Sequence, residues 1–179
     1  MHLSIRPATE ADIDAAERCL TDGKAALASL GIPQWQGEYP NRIDIAEDIS
    51  HGAAYVAETD DGALVGTLAL SFDGDETYGA IDGAWLTESN SAAPTYGVIH
   101  RCAVSAAAAH RGVMSFMFEA CERIARERGA ASIRIDTHEC NAPLQGLAAK
   151  RGYTRCGTIA LPYEGESDPL RIAFEKVLV

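Results

Sequence analysis

The feature of this sequence that most constrains its fold is a strand-like segment followed at once by a long amphipathic helix. Residues 98–104 (VIHRCAV) are typical of a strand, and residues 105–110 are mostly small. From Met114 to Ala125 the apolar residues recur at helical spacing, which predicts a helix with one face in a core. Gly129 lies just past the last of them and predicts the end of the helix. The centre of the chain is therefore predicted to be a strand–loop–helix unit.

The loop of this unit is suited to an anion. The first N–H groups of a helix have no acceptor inside the helix, and they point at whatever lies beyond its N-terminus. Gly112 stands where the loop meets the helix, and without a Cβ it lets a ligand approach the main chain closely. A phosphate group is the ligand that such a unit most often binds.

The length and composition predict one globular domain over residues 1–179. The chain is 47% apolar and 23% charged, with a net charge of −11 that argues against non-specific nucleic-acid binding. Residues 3–6 (LSIR) alternate from the start, so no signal peptide is expected, and no apolar run approaches membrane-spanning length. We therefore expect a cytoplasmic protein with no nucleic-acid or membrane partner.

The cysteines predict reduced thiols and no metal site. They are odd in number and scattered, which is typical of a reducing compartment. The pairs His100/Cys102 and His138/Cys140 lack the flanking spacing of a zinc site. The five cysteines are Cys19, Cys102, Cys121, Cys140 and Cys156.

The order of predicted elements is β-α-α-β-β-β-α-β-α-β-β, which indicates an α+β fold with helices packed on a sheet. The predicted strands are 3–6, 53–58, 63–72, 98–104, 132–138, 154–161 and 170–178. The predicted helices are 9–30, 42–50 and 141–150, together with the amphipathic helix that follows Gly112 and stops at Gly129. Residues 78–86 are compatible with an irregular strand or with a loop, because two glycines interrupt them.

A loop at residues 34–40 carries two large aromatic residues, Trp35 and Tyr39. One interpretation is that they pin the loop to the core. The other is that they line a substrate pocket, since binding residues are often found on loops. The sequence leaves both interpretations open.

The element order and the motifs together resemble the GNAT superfamily of acyl-CoA-dependent N-acetyltransferases over essentially the whole chain. Val104 to Met114 are in register with that family's valine-led strand end and its Arg/Gln-x-x-Gly-x-Gly pyrophosphate loop. Gly112 keeps the central glycine, whereas Ala109 and Met114 replace the first and last positions. Residues 150–153 (KRGY) follow the strand, the loop and the helix at a distance along the chain that is similar to the family's. The resemblance implies a mixed, mostly antiparallel central sheet flanked by helices on both faces.

The resemblance also implies a site for acetyl-CoA. In the family the pantetheine arm pairs with the end of the central strand, where a backbone N–H polarises the thioester carbonyl, and the pyrophosphate lies on the loop. Asn141 matches an asparagine that helps to place the cofactor, although it can also serve as a simple helix N-cap. The side chain of Met114 is expected to point into the core, away from the pyrophosphate. The cofactor-binding residues so implied are Cys102, Ala103, Val104, Ala109, His110, Arg111, Gly112, Val113, Met114, Ser115 and Asn141.

His100 is the predicted catalytic base. Its spacing from the strand end resembles the histidine strand of arylalkylamine N-acetyltransferases, and a neutral imidazole suits removal of a proton from an ammonium substrate. The alternative is a core histidine whose ring is satisfied by the main chain. The fallback carboxylates are Asp82, Glu76 and Glu38.

The general acid is left open. At the position where the family usually has a tyrosine that protonates the departing thiolate, this chain has Ala148. The candidates are Cys140, Tyr163 and His138, or solvent, since a coenzyme A thiolate is a good leaving group.

The function that these residues favour is acetyl transfer from acetyl-CoA to a primary amine by direct attack, without a covalent acyl-enzyme. Cys102 or Cys140 as a nucleophile is a second enzymatic reading, but neither has an evident base in the sequence. A non-catalytic acyl-CoA sensor or degenerate transferase is the other alternative, motivated by Ala109, Met114 and Ala148.

The amine acceptor stays open among polyamine, aminoglycoside, peptide N-terminus and small arylalkylamine. Four aromatic residues are candidates for a wall of the acceptor pocket. Dimerisation is common in the family, so a homodimer is compatible with the sequence, although no feature demands it. The four aromatic candidates are Trp35, Tyr39, Tyr78 and Trp85.

Overall fold

The computed structural model describes residues 2–89, 92–161 and 168–178. Within these ranges it contains one mostly antiparallel sheet of eight strands, in the order β1-β2-β3-β5-β6-β8-β7-β4, together with four α-helices. The strands are β1 Leu3–Pro7, β2 Ala54–Thr59, β3 Leu64–Ser71, β4 Asp82–Gly83, β5 Tyr96–Val104, β6 Ser132–Thr137, β7 Thr154–Ala160 and β8 Leu170–Val177. The helices are α1 Ile13–Ser29, α2 Arg42–Ser50, α3 Val113–Glu127 and α4 Ala142–Lys150.

The predicted fold class is confirmed, and the helix starts follow from local capping. The Asp12 carboxylate accepts a hydrogen bond from the Thr9 N–H at 2.8 Å, so a short 3₁₀ turn leads into α1. Asn41 caps α2 by accepting from the Ile43 N–H at 2.7 Å. The parallel pair in the sheet is β5 with β6, where Val98 is opposite Arg134.

Residues 78–86 were predicted to be an irregular strand or a loop, and neither describes the whole segment. A 3₁₀ helix, Glu76–Ala80, is followed by the two-residue strand β4, which pairs antiparallel with β7. The pairing depends on two glycines that face each other. A Cβ on Gly83 would lie 2.1 Å from the carbonyl oxygen of Cys156, and one on Gly157 would lie 2.2 Å from that of Asp82. Only glycines allow the two backbones to approach so closely.

The chain forms two compact units. Unit 1 comprises Met1–Gly31, Trp35–Leu70 and Ile99–Cys121, and unit 2 comprises Ile32–Gln34, Ser71–Val98 and Glu122–Val179. The prediction of a single domain over residues 1–179 stays a prediction. A core cluster of unit 1 consists of Ala16, Cys19, Leu20, Ile45 and Ala103. A core cluster of unit 2 consists of Tyr78, Tyr96, Val98, Ile159 and Ala173.

In unit 1, α3 packs closely on β3. A Cβ on Gly66 would lie 2.7 Å from the Met117 sulfur and 3.2 Å from a Val113 methyl group. Val113, Met117 and Phe118 are all buried, as the apolar spacing of the helix predicts. In the part of the chain that the structure describes, no helix has both the length and the apolar character to cross a membrane.

Candidate functional site

The loop between β5 and α3 has the backbone geometry of an anion-binding concavity. A 3₁₀ turn, Ala106–Ala108, leaves the end of β5, and His110 and Gly112 then both adopt left-handed conformations, with φ of 61° and 82°. Arg111, between them, does not. Alternation of handedness turns successive N–H groups toward one side of the chain, which is the arrangement of an anion-binding nest.

The N-terminus of α3 carries no acidic counter-charge of its own. Its first intrahelical bond runs from the Phe116 N–H to the Gly112 carbonyl at 3.0 Å, so the N–H groups of Val113 and Met114 have no acceptor within the helix. The first turn contains no acidic residue, and Gly112 has no side chain with which to cap it. The positive end of the helix dipole is therefore available to an anion.

The space around this loop is open where a phosphate would approach. A Cβ on Gly112 would meet nothing within 4 Å, and His110, Arg111 and Ala109 are exposed. Met114 is only half-buried, since it lies one residue beyond the fully buried Val113 and therefore at the border of the apolar face. The expectation that its side chain points into the core is met in part.

The end of β5 is held by α1 and β3. Ala103 is buried beneath α1, where a Cβ on Gly23 would lie 3.1 Å from the Ala103 Cβ. The Ser105 N–H donates to the Val65 carbonyl at 2.9 Å. Cys102 and Val104, on either side of Ala103, are half-buried. All residues assigned to the thioester end and to the pyrophosphate loop thus lie in unit 1.

Arg101, immediately before this segment, makes contacts that the sequence analysis missed. Its guanidinium pairs in a bidentate manner with the Asp48 carboxylate, with Nε 2.8 Å from Oδ2 and a second, shorter contact to Oδ1. It also donates to the Tyr39 hydroxyl at 3.1 Å. Burial by itself would lower the pKa of Arg101, but the Asp48 carboxylate raises it overall, so the guanidinium stays charged. No local sequence signal marks this pair, because 53 residues separate its partners.

His100 is half-buried in β5, and its assignment as the base stays a prediction. The three fallback carboxylates are all exposed. Asp82 lies in β4, Glu76 begins the 3₁₀ helix that precedes β4, and Glu38 lies in the loop before α2. Glu76 precedes Asp82 in the chain, and both belong to unit 2.

His138 is buried in unit 2 and both of its ring nitrogens are engaged. Nδ1 accepts the Cys140 N–H at 3.1 Å, so the neutral ring carries its proton on Nε2, which lies 3.1 Å from an Asp168 carboxylate oxygen. A histidine held in this way suits a positioning role better than that of a general acid. Cys140 is exposed, and Tyr163 lies outside the described residues.

Asn141 is the N-cap of α4. Its Oδ1 accepts the Leu144 N–H at 3.2 Å, and the residue is buried. The capping interpretation is therefore observed, whereas a role toward a cofactor stays a prediction. Ala148, which replaces the family tyrosine, is fully buried in the same helix.

The aromatic residues of unit 2 surround a buried arginine. The Arg134 guanidinium carbon lies 4.2 Å from the ring centre of Trp85 and 3.9 Å from that of Tyr96. The Tyr78 hydroxyl donates to Asp136 at 2.8 Å, and burial, reinforced by that carboxylate, raises the pKa of Tyr78. Tyr78 and Trp85 therefore have a packing role in unit 2.

The aromatic residues of the 34–40 loop have anchoring contacts in unit 1. Trp35 packs against the core cluster beneath α1, and Tyr39 accepts from Arg101. The pinning interpretation is thus observed for both, and a role in lining a pocket stays a prediction. Across the described residues, no three His, Cys, Asp or Glu side chains converge as metal ligands.

Comparison with known proteins identifies the family. The model of the acetyltransferase (GNAT) family matches residues 24–153. A GNAT-family acetyltransferase from Streptococcus agalactiae 2603 is 32% identical, with a TM-score of 0.84 over 98% of this chain and 95% of that one. A search of curated proteins found no significant match.

Two more distant structures share the fold. A GNAT-family acetyltransferase from Listeria monocytogenes 4b F2365 is 20% identical, with a TM-score of 0.74 over 98% of this chain and 95% of that one. The ribosomal-protein-S18-alanine N-acetyltransferase from Escherichia coli is 14% identical, with a TM-score of 0.60 over 99% and 94%. From the family model and the Streptococcus structure together, the chain belongs to the GNAT family and is an acetyltransferase.

Proposed function

We propose that this enzyme transfers an acetyl group from acetyl-CoA to a primary amine by direct attack. The observation that carries the choice of donor is the loop before α3. It combines a helix N-terminus whose preceding residue, Gly112, has no side chain to cap it, left-handed residues at His110 and Gly112, and open space beside Gly112. These features fit a pyrophosphate, because main-chain N–H groups and a helix dipole hold anionic oxygens.

The residues that would hold acetyl-CoA form two groups. The N–H groups at the start of α3, with Val113 and Met114 among them, would bind the pyrophosphate, and His110 and Arg111 would add positive charge. The main chain of 102–104 would bind the other end. Acetyl-CoA supplies an acetyl group activated as a thioester. A backbone N–H of the strand would stabilise the negative charge that develops on the acetyl oxygen.

His100 is the proposed base, since it precedes the acyl-binding segment by two residues and is half-buried rather than sealed in the core. It would accept a proton from the ammonium form of the substrate, which leaves the neutral amine that attacks the thioester carbonyl. The proton for the departing thiolate would come from solvent or from the exposed Cys140, because Ala148 has no acidic group and both nitrogens of His138 are engaged. A cytoplasmic location belongs to the same proposal and is supported by five reduced thiols.

The proposal is tested by thiol release from acetyl-CoA with a panel of amines. The panel should include small arylalkylamines, polyamines, aminoglycosides and peptides with a free N-terminus, because the E. coli neighbour is named for a protein alanine. We expect steady turnover with at least one class. Binding of acetyl-CoA without turnover of any amine would instead support a non-catalytic sensor.

The role of His100 is tested by the substitution His100→Ala. We expect kcat/KM to fall by roughly 10²–10⁴-fold and its pH profile to lose the limb due to the base. His51→Ala is the matched control, since His51 is an exposed histidine at the end of α2 in the same unit. An unchanged rate and pH profile for His100→Ala would remove it from the mechanism.

A further inference from the structure

The backbone of β5 contains one residue in a conformation that strands do not use. Arg101 has φ of +49°, in the left-handed region that non-glycine residues adopt at a cost in free energy. It lies between Tyr96 and Val104 within the strand, with regular strand residues on both sides. A left-handed residue there changes the direction of the peptide groups that follow it.

The side chain of Arg101 has the contacts needed to hold this conformation. Its bidentate pair with Asp48 uses two guanidinium nitrogens, and Tyr39 accepts from the third. The Asp48 side chain is only 13% exposed and that of Arg101 only 20%. The two residues border a small cavity that is also lined by Leu20, Ile45 and Leu68, so the pair is largely shielded from water.

The three residues directly after Arg101 are those assigned to the thioester end of the donor. We propose that Asp48 is a positioning residue: by holding Arg101 in its left-handed conformation, it aims the backbone N–H groups of 102–104 at the acetyl carbonyl. This inference rests on the proposed function for the location of the acetyl group. Tyr39, in the loop before α2, accepts a hydrogen bond from the same guanidinium and so links that loop to Arg101.

Two double variants distinguish a role of Asp48 in setting the backbone conformation from a role in stabilising the contact between α2 and β5. Asp48→Asn/Arg101→Gly and Asp48→Asn/Arg101→Ala both remove the ion pair and leave no buried charge. They differ in one respect, because glycine adopts a positive φ readily and alanine does not. If the function of the ion pair is to hold a positive φ at position 101, a glycine there adopts that conformation without the pair.

We expect kcat of the glycine variant to stay within about threefold of the wild type and kcat of the alanine variant to fall by roughly 10²-fold, as for loss of one oxyanion donor. KM for acetyl-CoA should change much less than kcat in the alanine variant, because the loop before α3, which would hold the pyrophosphate, is intact. Equal loss in both variants, or activity kept in both, would overturn the proposal.

The matched control is Asp12→Asn. Asp12 makes the same type of bidentate pair with Arg6, at 2.8 and 2.9 Å, and its side chain is also 13% exposed. It lies outside the proposed site, so its loss should lower Tm and leave kcat unchanged. A fall in kcat equal to that of the Asp48→Asn/Arg101→Ala variant would mean that general destabilisation explains both. If neither double variant folds, Asp48→Asn alone must lower kcat at constant KM, and full activity would refute the idea.

A second measurement does not require turnover. Amide hydrogen exchange over residues 99–104, and calorimetric titration with coenzyme A, are compared in the wild type and both double variants. The exchange pattern should be retained with glycine and altered with alanine, while both variants keep most of their coenzyme A affinity through the intact loop before α3. If the wild type acetylated no amine, the proposed function would fail. This comparison would still decide whether Asp48 and Arg101 set the backbone of β5.

Discussion

At the scale of single residues, the proposed donor site depends on backbone conformations rather than on side chains. Gly112 is the clearest case, because its φ of 82° suits glycine. A Cβ at this position would meet none of the described residues within 4 Å, its chain neighbours aside. It would instead stand where a ligand approaches the N–H groups of Val113 and Met114.

Gly112→Ala is therefore expected to weaken coenzyme A binding about tenfold and to lower the unfolding free energy by roughly 1–2 kcal/mol, the usual penalty of a left-handed non-glycine residue. Calorimetry and urea unfolding measure the two effects. The control is Gly31→Ala, since Gly31 also has a positive φ of 69° and open space around its Cβ position. That variant should lose similar stability and keep full affinity. Equal affinities for the two variants would exclude a ligand beside Gly112.

The position of Gly112 between a strand and a helix was predictable from sequence, whereas the conformation of Arg101 was not. A glycine before an amphipathic helix is a local signal, and the role toward a ligand that it suggests stays a prediction. The left-handed Arg101 stands in a segment, 98–104, whose pattern is that of an ordinary strand. Its side chain pairs with Asp48, a partner in another element, which the pattern of the strand does not reveal.

At the scale of elements, one buried carboxylate joins β8, β6 and the segment before β5 in unit 2. Glu175 accepts from Arg134 Nε at 3.0 Å, from the hydroxyl of Thr87 at 2.6 Å and from that of Ser132 at 2.5 Å. The Leu86 N–H donates to it as well. Burial alone would raise the pKa of Glu175, but the hydrogen bonds from Ser132, Thr87 and Arg134 lower it overall.

Glu175→Gln should destabilise the protein strongly, because it leaves the Arg134 charge buried without its counter-ion. We expect a loss of about 3–5 kcal/mol in the unfolding free energy, measured by urea titration. The control is Glu127→Gln, which removes the exposed pair of Glu127 with Arg123 and should cost about 0.3–0.5 kcal/mol. Similar losses in the two variants would show that the buried network contributes no more than a surface pair.

The element order was predictable because each strand and helix has its own periodicity. The helix over 142–150 begins and ends as expected, since Asn141 and Gly152 mark its two limits. The sequence pattern of residues 78–86 did not decide between a strand and a loop. Its strand, β4, exists only because Gly83 and Gly157 allow two backbones to meet, and 73 residues lie between them.

At the scale of the whole molecule, the carboxylates determine how stability depends on pH. The folded-state pKa values of Asp12, Glu122 and Glu175 are all lowered overall. For Asp12 the hydrogen bond from Arg6 is the main cause, whereas for the two glutamates hydrogen bonds outweigh the opposing effect of burial. A carboxylate whose pKa is lower in the folded state contributes stability above its unfolded pKa and loses it as the pH falls further.

The unfolding free energy is therefore expected to change little through these groups between pH 7 and 5, and to fall below about pH 4.5, where unfolded carboxylates take up protons. Urea unfolding at pH 7, 5, 4 and 3 measures this dependence. Glu122→Gln should flatten it, because the pair of Glu122 with Arg151 and Lys176 is lost at every pH. Stability that rose on acidification would contradict the assignment of lowered pKa values.

The sequence by itself determined the α+β class, the family and the strand–loop–helix unit with its glycine at position 112. These depend on residues close together in the chain, through helical periodicity and the conformational freedom of glycine. The tertiary structure alone decided the partners of Arg101, the packing of Trp85 on Arg134 and the contact of His138 with Asp168. Each of these depends on groups brought together by folding and shielded from water, where charge and hydrogen-bond pairing set the arrangement.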